Sequence, residues 1–169
     1  KYKLKKGAIE KLIENTSVNW HPLKYHQQPP ILSTLYDLWI LNRKALKIIE
    51  QNKIVLIHCR SYISSLIGLS IKRKKGIPFV FDMRGFWADE RLDGGIWIKT
   101  KPLHAFFYRY FKRKEKEFLE ESDAIVSLTW AGLNELNKQY TALSVENKTT
   151  IIPCCTNTSL FNREGIHSN

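Results

Sequence analysis

Cysteine and methionine are scarce in this 169-residue chain, which has three of the former and one of the latter. Cys154 and Cys155 are adjacent and Cys59 stands alone, so the cysteines fit neither a disulfide framework nor a metal-site spacing. Such usage is typical of a reducing cytosol. The sequence also lacks the apolar run of about 18 residues that a membrane-spanning helix needs, and its first residues do not resemble a secretory signal. We therefore expect a soluble, cytoplasmic protein.

Several motifs with known chemistry are missing as well. No strand-like segment is followed by the G-x-G-x-x-G of dinucleotide-binding sheets, and no G-x-x-x-x-G-K-S/T phosphate loop occurs. The G-x-S-x-G turn of serine hydrolases and the H-E-x-x-H of zinc proteases are absent too. We expect neither a metal ion nor a tightly bound cofactor in this chain.

Positive charge is in excess. The chain has 27 Lys and Arg residues against 16 Asp and Glu, which gives a net charge of +11. A hydrophobic fraction of 43%, with 12% aromatic residues, is sufficient for a folded core. The length predicts one domain over residues 1–169. Because residue 1 is Lys and the first segment has a helical pattern, we expect the chain to be a piece of a longer protein.

Helical and strand-like segments alternate along the sequence. Apolar residues at helical spacing, with suitable first and last residues, predict helices over 4–13, 33–49, 61–72, 102–121 and 131–140. Short apolar runs without polar alternation predict strands over 54–57, 77–81, 124–128 and 149–152, with a further extended segment at 18–23. Strands separated by helices predict an α/β fold, a doubly wound, Rossmann-like parallel sheet with helices on both faces.

Polar clusters follow the predicted strands at residues 58–62, 82–90 and 129–130, and again after 152. Parallel sheets bind ligands at the carboxyl ends of their strands, so these clusters predict a binding crevice, although strand ends are polar in any case. Asp82 is a candidate general base or a cap of a backbone turn, and His58 a base, a donor or a structural group. Arg60 and Arg84 fit a phosphate or carboxylate ligand, or ion pairs with acidic neighbours.

Basic and aromatic residues mix in the segment after Pro102. The residues that we consider for contact with an anionic membrane are Phe106, Phe107, Arg109, Lys112 and Arg113. A helix with a core-facing side and a solvated basic side explains the same pattern, and nucleic-acid binding is the weakest of the three interpretations.

Four motifs, in order, resemble one protein family. They are HCRS at 58–61, FVFDMRG at 79–85, SDAIVSLT at 122–129 and IPCCTNTSLF at 152–161. Together they resemble the N-terminal domain of family 4 retaining glycosyltransferases of the two-domain GT-B fold. The chain departs from that pattern at Cys154, Cys155 and Asn157, where members commonly have Asn, Gly and Asp. Arg60 and Arg84 stand where many members have histidines, which suggests an acceptor with an anionic group.

The resemblance implies that a sugar passes from a nucleotide-sugar to a glycan or lipid-linked acceptor with retention, without a metal. The nucleotide-sugar would be bound mainly by a C-terminal domain that this sequence does not contain, and the family's first strand would precede residue 1. Asp82 would orient the attacking hydroxyl. Acceptor-binding residues would be His58, Arg60, Ser61, Arg84, Gly85, Asp89, Glu90 and Thr129. Bacterial surface polysaccharide synthesis at the inner face of the membrane would be the setting.

Two other functions stay open on the sequence. One is a basic module that binds an anionic membrane or nucleic acid, and the other is a stand-alone flavodoxin-like or sugar-isomerase-like domain. Whether this chain is active by itself is undetermined, because the donor-binding half of such an enzyme would be missing.

Overall fold

A computed structural model describes residues 2–29 and 31–156. The described residues form two compact units, which divide between Lys44 and Ala45. The single domain expected from the length stays a prediction. The part of the last family motif from Asn157 onward lies outside the described residues.

The first unit contains α1 (Tyr2–Ile13) and the beginning of α2 (Leu32–Gln51), as the helical spacing predicts. Residues 18–23, predicted to be extended, have no regular secondary structure. The connecting segment contacts α2 through His26. Its Nδ1 lies 2.6 Å from Asp37 Oδ1, and its backbone N–H donates to Asp37 Oδ2. These contacts lower the pKa of Asp37 below its usual value.

The second unit is a parallel sheet flanked by helices. Its strands are β1 (Ile57–Arg60), β2 (Phe79–Asp82), β3 (Ala124–Ser127) and β4 (Thr149–Ile151), all parallel and in the order β1-β2-β3-β4. Its helices are α3 (Ser61–Lys75), α4 (Trp87–Asp93), α5 (Pro102–Glu121) and α6 (Trp130–Gln139), with a 3₁₀ turn at Glu146–Lys148. This is the Rossmann-like α/β class that the sequence predicts.

Local sequence explains where several helices begin and end. Gly76 stops α3 by adopting a left-handed conformation with φ 70°, and its N–H donates to the Lys72 carbonyl. Pro102 opens α5, where its missing N–H costs nothing. Thr129 caps α6, because its hydroxyl accepts a hydrogen bond from the Gly132 N–H.

The core lies between the sheet and the helices. Cys59, Phe81 and Ile125 occupy matching positions on neighbouring strands and are buried on one face of the sheet. Tyr62 and Phe118 bring their rings edge-on or tilted against Phe81, with centroids 5.6 and 5.2 Å from its ring. Such aromatic contacts supply a large share of core burial in a domain of this size.

The first strand does not lie where the apolar run predicts it. Val55 and Leu56 precede β1 and are 72% and 52% exposed, and the strand runs through His58 to Arg60 instead. Pairing with β2 fixes where β1 begins, because the Ile57 N–H donates to the carbonyl of Pro78, directly before β2. Pro78 has no N–H with which to extend the ladder, so β2 starts at Phe79. The predicted strands 54–57 and 77–81 were therefore placed too early in the chain.

Candidate functional site

A cleft of about 420 Å³ opens between the carboxyl ends of β2 and β3. Its walls are the segment that follows each strand and the beginning of α6. The lining residues are Met83, Arg84, Gly85, Phe86, Glu90, Ser127, Leu128, Thr129, Ala131 and Gly132. The carboxyl edge of the sheet therefore carries the crevice that the sequence predicts.

The β2–α4 segment forms one wall through an unusual backbone. Arg84 has a φ of 63° and Gly85 a φ of 150°. Residues other than glycine rarely adopt a φ of 150°. A Cβ at Gly85 would collide with Glu90 Oε1. The glycine thus allows the chain to turn and leaves room for the Glu90 carboxylate beside it.

The opposite wall is the start of α6. Thr129 Oγ1 accepts from Gly132 N–H at 3.0 Å, and Ser127 Oγ donates to the Thr129 carbonyl at 3.2 Å. Thr129, which the resemblance proposes as a ligand contact, therefore also serves as the helix cap. Ser127 and Gly132 were not predicted as site residues, although the Thr129-x-x-Gly132 spacing is compatible with a capped helix.

Asp82 and His58 form a pair on the neighbouring strands β2 and β1. His58 Nε2 lies 3.3 Å from Asp82 Oδ2, and the His58 side chain is 60% exposed whereas that of Asp82 is 9% exposed. Asp82 Oδ1 is buried and has no hydrogen-bond partner in residues 2–29 and 31–156. A buried carboxylate oxygen of this kind is costly unless it receives a hydrogen bond.

Arg60 lies directly opposite Asp82 in the strand register. Residues two apart on a strand share a face, so His58, Arg60 and Asp82 form one group on one face of the sheet. They are not among the residues that line the cleft. The predicted ligand contacts therefore fall into two groups, this one and the cleft residues Arg84, Gly85, Glu90 and Thr129.

Ser61 begins α3 directly after β1. Its φ of 67° is left-handed, and its carbonyl accepts hydrogen bonds from the Ser65 hydroxyl at 2.8 Å and the Ser64 hydroxyl at 3.1 Å. The residue marks the sharp turn from strand to helix and does not line the cleft.

Asp89 is not among the residues that line the cleft and belongs to a separate cluster of polar side chains. Tyr108 Oη donates to Asp89 Oδ1 at 2.8 Å, and Lys112 Nζ donates to Oδ2 at 2.9 Å. Lys112 also donates to Glu115 Oε1 at 2.5 Å and to Gln139 Oε1 at 3.0 Å. Both carboxylate oxygens of Asp89 are thus occupied by the protein.

Glu115 is fully buried in the same cluster and accepts hydrogen bonds from the hydroxyls of Tyr62 and Tyr140. Burial opposes the charge on Lys112, but the hydrogen bond and charge of Glu115 outweigh it and raise the pKa of Lys112. Burial, reinforced by the Glu115 charge, also raises the pKa of Tyr62. Lys112 therefore stays charged and Tyr62 stays protonated over the ordinary pH range.

The five residues considered for membrane contact have different environments. Phe106 is 56% exposed, and Arg109 and Arg113 are exposed, whereas Phe107 packs against the core. Lys112 is engaged in the cluster described above. Sequence reasoning missed the neighbouring exposed apolar residues, which are Ile96, Ile98 and Leu103.

Within residues 2–29 and 31–156, no three His, Cys, Asp or Glu side chains are grouped as a metal ion would require. None of the helices there is long and apolar enough to cross a membrane.

A parallel sheet flanked by helices, with a cleft at its carboxyl edge, defines a Rossmann-like domain. The sequence profile described as Glycosyltransferase Family 4 matches residues 9–160, and the chain therefore belongs to that family. The match supports the N-terminal domain of a GT-B glycosyltransferase. No curated protein matches the chain.

Proposed function

We propose that this domain binds the sugar acceptor for a transfer from a nucleotide-sugar. The observation that carries the proposal is the Asp82 carboxylate at the end of β2, whose buried Oδ1 has no hydrogen-bond donor in the described parts of the chain. A sugar hydroxyl is a donor of suitable size for this oxygen. The family match supplies the class of reaction.

In the proposed reaction, Asp82 Oδ1 accepts the hydrogen bond of the attacking acceptor hydroxyl. His58 on Oδ2 holds the carboxylate in place. The bond between the anomeric carbon and the donor phosphate oxygen breaks, and a bond from that carbon to the acceptor oxygen forms. The acceptor hydroxyl passes its proton to the Asp82 carboxylate, and the leaving nucleotide keeps the electron pair of the broken bond. The resemblance implies retention of configuration and a donor bound mainly by a second domain.

The cleft residues would hold the rest of the acceptor. Glu90 and Thr129 present oxygens to sugar hydroxyls, and Gly85 leaves the room that the Glu90 carboxylate occupies. Arg84, with Arg60 on the adjacent strand, fits an anionic group such as a phosphate or a uronic acid. A glycan or lipid-linked sugar with a negative charge is therefore the acceptor class that we favour. Ser61, next to Arg60, stays a predicted contact.

The test is transfer by the full protein. The assay supplies nucleotide-sugars as donors and compares lipid-linked phosphosugar acceptors with uncharged glycoside acceptors. We expect turnover that is faster with the anionic acceptor and that Asp82→Asn reduces strongly. If the Asp82→Asn variant transferred sugar from these donors at the wild-type rate, the role of this carboxylate would be contradicted.

Membrane contact at the inner face of a bacterial membrane is the second part of the proposal. Ile96, Ile98, Leu103 and Phe106 are exposed apolar side chains close in sequence to the exposed Arg109 and Arg113. Apolar side chains flanked by cations suit the interface of an anionic bilayer. A cytoplasmic, peripheral enzyme of surface polysaccharide synthesis would use such a surface.

Sedimentation with vesicles tests this contact. We expect binding to phosphatidylglycerol vesicles, none to phosphatidylcholine vesicles, and loss of binding in Phe106→Ser. Tyr25→Ser is the matched control, because Tyr25 is also highly exposed. Preferential binding to single-stranded RNA at the same salt concentration would favour the nucleic-acid interpretation instead.

A further inference from the structure

Lys112 makes hydrogen bonds to α4 and to α6, the helices that belong to the two walls of the cleft. We infer that Lys112, together with Glu115, is a positioning residue that fixes the separation of these walls and hence the fit of the acceptor. The inference rests on the proposed function only in naming the acceptor as the ligand. The residues that line the cleft are carried by α4 and its preceding segment on one side and by α6 on the other.

The contact with the first wall runs through Asp89. Lys112 Nζ donates to Asp89 Oδ2 at 2.9 Å, and the Tyr108 hydroxyl occupies the other oxygen. Asp89 directly precedes Glu90, which lines the cleft. Lys112 Nζ also lies 5.8 Å from the ring centroid of Phe86, another lining residue. A shift of Lys112 therefore acts on the β2–α4 wall at two points.

The contact with the second wall runs through the end of α6. Gln139 Oε1 accepts a hydrogen bond from Lys112 at 3.0 Å, and the Tyr140 hydroxyl donates to Glu115. The other end of the same helix carries Thr129, Ala131 and Gly132 into the cleft. Because a helix of ten residues moves as a stiff rod, fixing its last turn also fixes its first.

The cluster is suited to this role because its charges are fully or partly buried and each has partners. Glu115 is fully buried, and its two oxygens accept from Tyr62, Tyr140 and Lys112. Low local dielectric strengthens such a network, and removal of one member leaves the others unpaired. Displacing α6 or α4 would break these bonds, so the two walls are held to the same point on α5.

Lys114 is a matched control on the same helix. Its ammonium pairs with Glu117 at 2.7 Å, and its side chain is 18% exposed, against 21% for Lys112. Among the described residues, no hydrogen bond or ion pair joins Lys114 to α4 or α6. Lys112→Met and Lys114→Met therefore both remove a partly buried ion pair between a lysine and a carboxylate. Only Lys112→Met also removes a hydrogen-bonded link to the two walls.

The experiment compares Lys112→Met, Lys112→Arg and Lys114→Met in the full protein by amide hydrogen exchange. We expect Lys112→Met to speed exchange roughly tenfold in residues 84–90 and 129–133, while β3 exchanges as in the wild type. Lys112→Arg should restore part of the protection, and Lys114→Met should leave both segments unchanged. In the transfer assay, Lys112→Met should raise the acceptor KM about tenfold with a smaller change in kcat.

Unchanged exchange in the two walls, or an equal increase throughout the domain, would overturn the inference. If Lys112→Met does not fold, Asp89→Asn and Gln139→Ala address each wall separately, and each should loosen its own wall. Hydrogen exchange does not need turnover. If the protein transfers no sugar, the proposed function is refuted. The exchange experiment would still show whether Lys112 positions the walls of the cleft.

Discussion

His58 and Asp82 meet across β1 and β2, with the ring Nε2 of the first 3.3 Å from Oδ2 of the second. The histidine is mostly in solvent and the carboxylate is mostly buried. A solvent-exposed imidazole is thus hydrogen-bonded to a carboxylate that is mostly buried in the protein. An arrangement of this kind costs stability unless a ligand contributes a hydrogen bond, which is expected of a functional position.

Asp82→Asn should separate activity from stability. We expect transfer to fall about 100-fold, because the amide is a weaker acceptor for the attacking hydroxyl. The melting temperature should stay the same or rise, because the variant removes a buried charge that lacks a full set of donors. Kinetics and thermal unfolding measure the two effects. Asp93→Asn, at an exposed position in α4, should change neither. A large loss of stability in Asp82→Asn would contradict this assignment.

Gly85→Ala should be more harmful than Gly95→Ala. Both glycines have positive φ values, but a Cβ at Gly85 meets the Glu90 carboxylate and one at Gly95 meets nothing within 4 Å. We expect a loss of about 2 kcal/mol at Gly85 and about 1 kcal/mol at Gly95 in the free energy of unfolding. Urea denaturation gives both values. Equal losses would show that Glu90 moves aside without cost.

Gly68 and Cys59 should be energetically coupled. A Cβ at Gly68 would collide with Cys59 Sγ and lie 3.2 Å from Cδ2 of Phe79. Gly68→Ala alone should cost about 2 kcal/mol by overpacking, and Cys59→Ala alone about 1 kcal/mol through the cavity. The double variant should be more stable than the sum of these losses predicts. Strict additivity in urea denaturation would mean that the helix moves away from the sheet instead.

Arg73 should stabilise the domain only at pH values where its partners are charged. Its hydrogen bond lowers the pKa of Glu121 below the usual 4.5. Because the folded pKa is the lower one, the contribution is present above 4.5 and is lost as the pH falls through the folded value. Since the Arg73 side chain is 47% exposed, we expect Arg73→Met to cost only about 0.5 kcal/mol at pH 7.

That difference should shrink toward zero near pH 3, as measured by urea denaturation over a pH series. Lys138→Met is the control, because Lys138 is highly exposed and lies 4.0 Å from Glu135. It should show little effect at any pH. A cost for Arg73→Met that persists at low pH would indicate that the packing of the arginine stem, and not its charge, is responsible.

Local signals predicted much of the fold. Pro102, Thr129 and Gly76 mark helix ends through their own backbone chemistry, and the parallel sheet follows from the order of apolar runs. The register of β1 could not be read in this way, since the apolar residues from Ile54 to Ile57 look alike in sequence. Helix α4 was missed because seven residues give little periodicity.

The candidate site was predictable in position and less so in detail. The carboxyl-edge rule correctly brings Arg84, Glu90 and Thr129 together in one cleft. Neighbouring residues on a helix point about 100° apart, so Asp89 and Glu90 have different surroundings although they are adjacent. In the sequence, Lys112 looks like another basic residue of the same helix as Arg109 and Arg113. Its different role depends on hydrogen bonds to Asp89 and Gln139, which are far from it in the sequence.

The strand order β1-β2-β3-β4 has a consequence for how this part of the chain is made. Each of β2, β3 and β4 pairs with the strand synthesised just before it, so the sheet can grow from one edge as the polypeptide leaves the ribosome. None of these strands has to enter between two that are already joined. Asp82 lies opposite Arg60 on β1 and Val126 on β3, so its place in the sheet has a strand on each side only after β3 has been made.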